Sequence, residues 1–173
     1  KGLETGNREK VSYVMRQNQV YFVLSSPLTS GTEIGHHIDK HGDGIKDVSF
    51  SVDNAEKAWK ETTNKGAESV SKPKLIEDDK GEAVTATIKT YGDTTHTFVQ
   101  RNDYNGNFLP GFEDIKLKNS GKDAGLVHID HVVGNQPDGI MQPVCDFYEK
   151  VFGWHRFWSV DDNDLSTKYS SLR

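Results

Sequence analysis

The chain has 173 residues, a length that fits one ordinary domain or two small ones and suffices to bury a core. Its 21 Lys and Arg against 26 Asp and Glu leave a net charge of -5 and a pI near 5.8, so no positive field exists to neutralise a run of phosphates, and nucleic-acid binding is disfavoured. An apolar fraction of 34% and a mean hydropathy of -0.70 describe a wet surface, while three Trp, six Tyr and eight Phe are too many for a disordered acidic chain.

Lys10 to Arg16 alternates polar and apolar residues, and after Gln17-Asn18-Gln19 comes the branched and aromatic run Val20 to Ser25, which predicts a β-hairpin. Thr32 to His41 reads as a short helix with Thr32 as N-cap, stopped by His41-Gly42-Asp43-Gly44. Ile45 to Val52 reads as a strand with Val48, Phe50 and Val52 on one face. Asp53 or Asn54 then caps a helix through Lys65, with Ala55, Ala58, Trp59 and Thr62 as its buried stripe and Gly66 at the C′ position. Three extended segments follow, at about 68–76, 82–90 and 95–101, so the order from Ile45 onward is β, α, β, β, β.

Gly106, Pro110 and Gly111 mark a connector up to about Gly125. Beyond it, Val127 to Gly134 predicts a strand, and Met141 to Phe152 a helix with Val144, Tyr148, Val151 and Phe152 on its apolar face and Gly153 as its stop. Trp154 to Val160 reads as a strand, Asp161-Asp162-Asn163-Asp164 as a turn and Ser166 to Ser171 as a further strand. The expected domains are 1–105, with part of a first module and a complete second one, a linker at 106–126, and the start of a second domain at 127–173.

No stretch approaches the roughly 18 consecutive apolar residues of a membrane span, and the polar segment Lys1 to Lys10 is not a signal sequence, so no membrane association is expected. Cys145 is the one cysteine and cannot close an internal disulfide, which fits a reducing compartment and a cytoplasmic location. The absence of a starting Met and the strand-like ending at Ser170-Ser171-Leu172-Arg173 suggest a piece of a longer protein.

Ile45-Lys46-Asp47-Val48 and Ile129-Asp130-His131-Val132 align, and each opens a strand, helix, strand series whose helix is closed by a glycine. Such self-similarity marks a repeated supersecondary unit. The opening hairpin then ends an earlier copy. At the aligned position one copy has Asp47 and the other His131. A strand fixes the direction of a side chain, and strands facing one concavity can converge ligands on a cation, so His131 is a candidate metal ligand. Taken alone, a strand histidine is as a rule a structural residue, and both readings stay open at this point.

Other groups have plainer explanations. His37 and His41 stand at i and i+4, a spacing that can bind a cation, but no third ligand is near in sequence, which favours a solvated helix end. His128 falls on the opposite strand face from His131. Asp161 to Asp164 lacks the Gly and the distal Glu of a calcium loop. Cys145 reads as a small packed residue rather than a nucleophile. Arg156 and the Trp154/Trp158 pair could line a cavity, though core packing accounts for the two Trp equally well.

Five strings point further: Tyr91-Gly92-Asp93-Thr94-Thr95-His96-Thr97-Phe98-Val99, Phe108-Leu109-Pro110-Gly111-Phe112, the run from Ile129 to Asp138, His41 to Asp47 and His155 to Asp162. Together they resemble the 4-hydroxyphenylpyruvate dioxygenases of the animal type across essentially the whole chain. The resemblance implies an α+β fold of repeated βαβββ modules of the vicinal-oxygen-chelate type, with mixed curved sheets and helices packed outside. It implies Fe(II) held by two His and one Glu, with His131 the first of them and the other two beyond Arg173, and it matches Asp47 to a metal-free module. The implied substrates are an α-keto acid and O2, the products homogentisate and CO2, and the pathway tyrosine and phenylalanine catabolism, with a homo-oligomer expected. By the same resemblance the isolated chain is inactive and holds Fe(II) weakly. The rival readings are a binding or oligomerisation module of the same fold, or another metal enzyme of the superfamily such as a glyoxalase or an extradiol dioxygenase.

Overall fold

The computed structural model describes residues 1–115, 123–160 and 171–172. Strands β1 (Lys10–Gln17) and β2 (Val20–Pro27) form the opening hairpin, in a register that opposes Tyr13 to Leu24 and Met15 to Phe22. Asn18 takes the tight turn at φ 50, and the Ser12 and Ser25 hydroxyls meet at 2.8 Å across the pair. Opposed residues share a face, so Tyr13, Met15, Phe22 and Leu24 lie together, each at least half exposed. Helix α1 (Glu33–His41) follows with the expected cap, as the Thr32 hydroxyl accepts a hydrogen bond from the Gly35 N–H at 3.2 Å.

The complete module is the strand β3 (Phe50–Ser51), helix α2 (Ala55–Asn64), then β4 (Ser69–Asp78), β5 (Gly81–Lys89) and β6 (Thr95–Gln100). Its sheet has the order β3-β6-β5-β4, with β3 parallel to β6 and the other pairs antiparallel. The β, α, β, β, β order is therefore the one expected, but its first strand is shorter. Ahead of Phe50, ladder pairing is reduced to a bridge between Asp47 and Thr95. The Asn54 side chain caps α2 by accepting from the Lys57 N–H at 2.7 Å, and Ala55 and Thr62 are buried on the stripe the sequence predicts. Gly66, at φ 108, takes the C′ position that a side chain would resist.

Alternation along β5 and β6 sends Ala86, Ile88, His96 and Phe98 to one face, where Ala55 of α2 joins Ile88 and Phe98 in the core, and Thr87, Thr95 and Thr97 to the other. The core joins Ala55, Ala67, Ile88 and Phe98 to Val151 of helix α3 (Met141–Phe152). Phe147 and Phe152 of the same helix pack against that cluster, so the helix after the connector helps to seal the core of the complete module. Burying a side chain of this kind contributes roughly 1.5–3 kcal/mol. The connector itself is anchored where Phe108 stacks on Tyr21 at 5.9 Å and meets Phe112 edge-on at 4.9 Å.

Two expected strands differ in the structure. Residues 127–134 run without a ladder, because in the complete module the opening strand is held by β6 of the same unit, and no equivalent strand of the following unit lies among the described residues. The strand expected from Trp154 begins only at β7 (Ser159–Val160), which pairs antiparallel with β8 (Ser171–Leu172). The turn expected at Asp161 to Asp164 falls outside the described residues.

Candidate functional site

The two aligned positions have different surroundings. The Asp47 carboxylate accepts hydrogen bonds from the hydroxyls of Ser49 at 2.6 Å, Thr95 at 2.7 Å and Thr97 at 2.8 Å, while Thr97 also meets Thr87 at 3.0 Å. The face of the sheet opposite α2 thus carries a carboxylate satisfied by three hydroxyls, which leaves it no need of a cation.

His131 is more than half exposed, and its Nδ1 lies 2.6 Å from Oδ2 of Asp130. A carboxylate can only accept, so Nδ1–H donates, and in the neutral ring the lone pair is then on Nε2. That is the tautomer a metal ligand needs, oriented through its other nitrogen. Among the described residues no three His, Cys, Asp or Glu side chains are arranged to hold a metal ion. The donor set of the described residues at His131 fits one coordination position and does not fit an iron ion by itself.

The His37 and His41 rings stand 4.7 Å apart, and the second ring is held by Asp93, whose Oδ2 lies 2.8 Å from its Nε2 and 2.6 Å from Lys40 Nζ. This ties the end of α1 to the β5–β6 turn, and the hydrogen bonds from Lys40 and His41, with the Lys40 charge, hold the Asp93 carboxyl down to about 2. His128 is exposed. Cys145 is half-buried, and burial pushes its thiol up and away from reactivity. Arg156 lies 2.5 Å from Asp146 and 2.8 Å from Glu149. Trp154 stacks on Tyr148 at 5.1 Å and 7°, although it remains half exposed, as does Trp158.

His96 carries a role that the sequence reading missed. It is 5% exposed, its Nδ1 lies 2.8 Å from the Val48 carbonyl, and its Nε2 lies 2.9 Å from the Tyr148 hydroxyl. The carbonyl requires Nδ1–H as donor, so Nε2 accepts from the phenol. Burial lowers the His96 pKa and pushes the Tyr148 phenol up to about 12, which keeps both groups neutral near pH 7. The alternation Thr95-His96-Thr97-Phe98 places this histidine beside Phe98, a core residue, and that pattern was legible in the sequence. A cavity of about 400 Å3 opens beside this group, lined by Thr90, Tyr91, Gln136, Ile140 and Phe147 among others, and His131 is not part of its wall.

In overall fold the chain is similar to a variant of 4-hydroxymandelate synthase from Streptomyces coelicolor, with a TM-score of 0.74, 26% identity, and coverage of 91% of this chain and 45% of that one. This is the α+β class built from repeated βαβββ modules of the vicinal-oxygen-chelate type. No family model matches the sequence. Curated relatives do, and three of them share one name, 4-hydroxyphenylpyruvate dioxygenase. The protein from Aspergillus fumigatus is 44% identical over 100% of this chain and 48% of its own length, that from Yarrowia lipolytica 46% identical over 100% and 46%, and that from Dictyostelium discoideum 47% identical over 99% and 48%. The chain is similar along essentially its whole length to 4-hydroxyphenylpyruvate dioxygenases and spans about half the length of the curated relatives it matches.

Proposed function

We propose that this chain is the amino-terminal portion of an Fe(II)-dependent dioxygenase that converts 4-hydroxyphenylpyruvate and O2 to homogentisate and CO2, a cytoplasmic step of tyrosine and phenylalanine catabolism. The observation that carries the reading is similarity at 44–47% identity along essentially the entire chain to proteins of that name. In this reading residues 1–105 form the amino-terminal domain, 106–126 the linker and 127–173 the start of the catalytic domain.

The iron, when bound, supplies open coordination positions for the keto acid and the redox chemistry that activates O2. His131 contributes one ligand through Nε2, and the second His and the Glu come from outside this chain. Asp130 holds the ring by accepting from Nδ1–H. Asp47 occupies the same position in the preceding module and, closed by three hydroxyls, keeps that module free of metal. A single imidazole cannot hold Fe(II) in a facial geometry, so the chain alone is inactive and binds iron weakly.

The test is the full-length protein with 4-hydroxyphenylpyruvate under O2, with homogentisate and CO2 measured in equal amounts and iron measured by elemental analysis. His131→Ala is expected to abolish iron retention and turnover together. Full iron content in that variant would remove the ligand assignment, and an iron-loaded wild-type protein that forms no homogentisate would overturn the reaction.

A further inference from the structure

Helix α1 ends on two histidines one turn apart. His37 and His41 stand at i and i+4, so they share a face of the helix, and their rings lie 4.7 Å apart at 43°. The second ring is fixed from outside the helix. Asp93, 52 residues further along the chain, has its Oδ2 2.8 Å from the Nε2 of His41. The carboxylate can only accept, so Nε2–H donates, and in the neutral ring the lone pair is then on Nδ1. His37 is half-buried beside it, and burial, with the nearby His41 and Lys46, lowers its pKa, which favours a neutral ring with a lone pair of its own near pH 7. A solvated helix end would need none of this.

A carboxylate that holds one nitrogen of a histidine, leaving a lone pair on the other, is the arrangement that orients an imidazole for a metal ion. Two imidazoles at i and i+4 on one helix face can close a chelate over a single turn. We infer that His37 and His41 form a second divalent-metal site, separate from His131, which takes a transition ion such as Zn(II) in two coordination positions, with Asp93 as the positioning residue for His41. Water fills the remaining positions, because among the described residues no third His, Cys, Asp or Glu side chain completes a metal-holding group. Binding is therefore exchangeable, in contrast to a closed four-ligand structural site. Imidazole donors select zinc, copper or nickel over magnesium and calcium, which take oxygen ligands. Two lysines that would repel a dication are each paired, Lys40 with Asp93 at 2.6 Å and Lys46 with Glu33 at 2.9 Å. The bound ion links the last turn of α1 across itself and, through Asp93, to the β5–β6 turn, so it stabilises the folded state.

The experiment titrates Zn(II) into the full-length protein, loaded with Fe(II) and kept free of O2, with iron measured alongside. The wild type is expected to take up one zinc ion without losing iron and to show a higher thermal midpoint with zinc but not with magnesium. His37→Ala and His41→Ala should each weaken zinc uptake by about tenfold or more, and Asp93→Ala by about tenfold, with Asp93→Asn, which keeps an acceptor oxygen, losing less. His37→Ala leaves the bond between His41 and Asp93 in place, so its thermal midpoint without zinc should match that of the wild type and separate loss of the site from loss of the fold. No zinc uptake by the wild type, or wild-type affinity in either histidine variant, would overturn the site. Zinc taken up only in exchange for iron would place it at the iron centre and overturn the site as well. Wild-type affinity in Asp93→Ala would overturn the positioning role of that residue.

Discussion

His96 and Tyr148 stand 52 residues apart in sequence and meet at 2.9 Å between Nε2 and the phenol hydroxyl, joining β6 of the complete module to the helix that follows the connector. Around this bond Phe50, Phe152 and Trp154 close an aromatic cluster, with Trp154 stacked on Tyr148 and edge-on to Phe50 at 5.9 Å. The connector therefore ends in a helix fastened to the preceding module.

Removing the hydroxyl tests how much that bond contributes. Tyr148→Phe keeps the ring and its stacking but leaves His96 Nε2 buried without its donor, which should cost about 1–3 kcal/mol. Urea unfolding of the wild type and the variant measures this. A difference below a few tenths of a kcal/mol would mean that the bond is replaced by water.

Acidification should weaken the fold in two separate windows. Because burial lowers the His96 pKa, the unfolded state takes up a proton below the ordinary value of 6.5 that the folded state refuses, and stability falls as pH drops through 6.5. The Asp47 charge works against this shift without cancelling it. Asp93 acts lower: with its folded pKa near 2 against 3.8, its contribution is present above 3.8 and lost as pH falls from 3.8 toward 2. Thermal midpoints measured from pH 8 to pH 2 should show both limbs, with His96→Phe flattening the upper one and Asp93→Asn the lower. The lower limb should shrink in high salt, since Asp93 and Lys40 are exposed.

The hydroxyl cage is a further point of test. Asp47→Ala strands the hydroxyls of Ser49, Thr95 and Thr97, of which Thr95 is buried, and a loss of about 1–2 kcal/mol is expected on chemical denaturation. Asp47→Asn, which keeps an acceptor oxygen, should lose less. Equal losses would show that the charge rather than hydrogen bonding matters there.

The β4–β5 turn depends on its glycine. Gly81 has φ 123, and a Cβ there would stand 2.2 Å from the Asp103 carbonyl oxygen. Gly81→Ala strains the backbone and collides with it, so a drop of about 1–3 kcal/mol in unfolding free energy is expected. Gly92→Ala, with open space around it, should lose less despite a φ of 54.

The amino-acid order by itself determined whatever depends on near neighbours. The cap at Asn54, the stripe of Ala55 and Thr62, the stop at Gly66, the three long strands of the complete module and the extent of α3 all follow from spacing and capping within a few residues. The match of Asp47 to His131 was also legible, because a repeat shows itself in one dimension. Tertiary structure alone decided the rest. It gave Asp47 hydroxyl partners from a strand almost fifty residues away and gave His96 its Tyr148. It also brought Gln17 and Gln19 of the opening hairpin to Leu126 and Val127, and Tyr91 to Gly134. The physical reason is that period and capping are local energies written in adjacent residues, whereas the partner of a buried polar group is whichever element the packed chain brings within 3 Å of it.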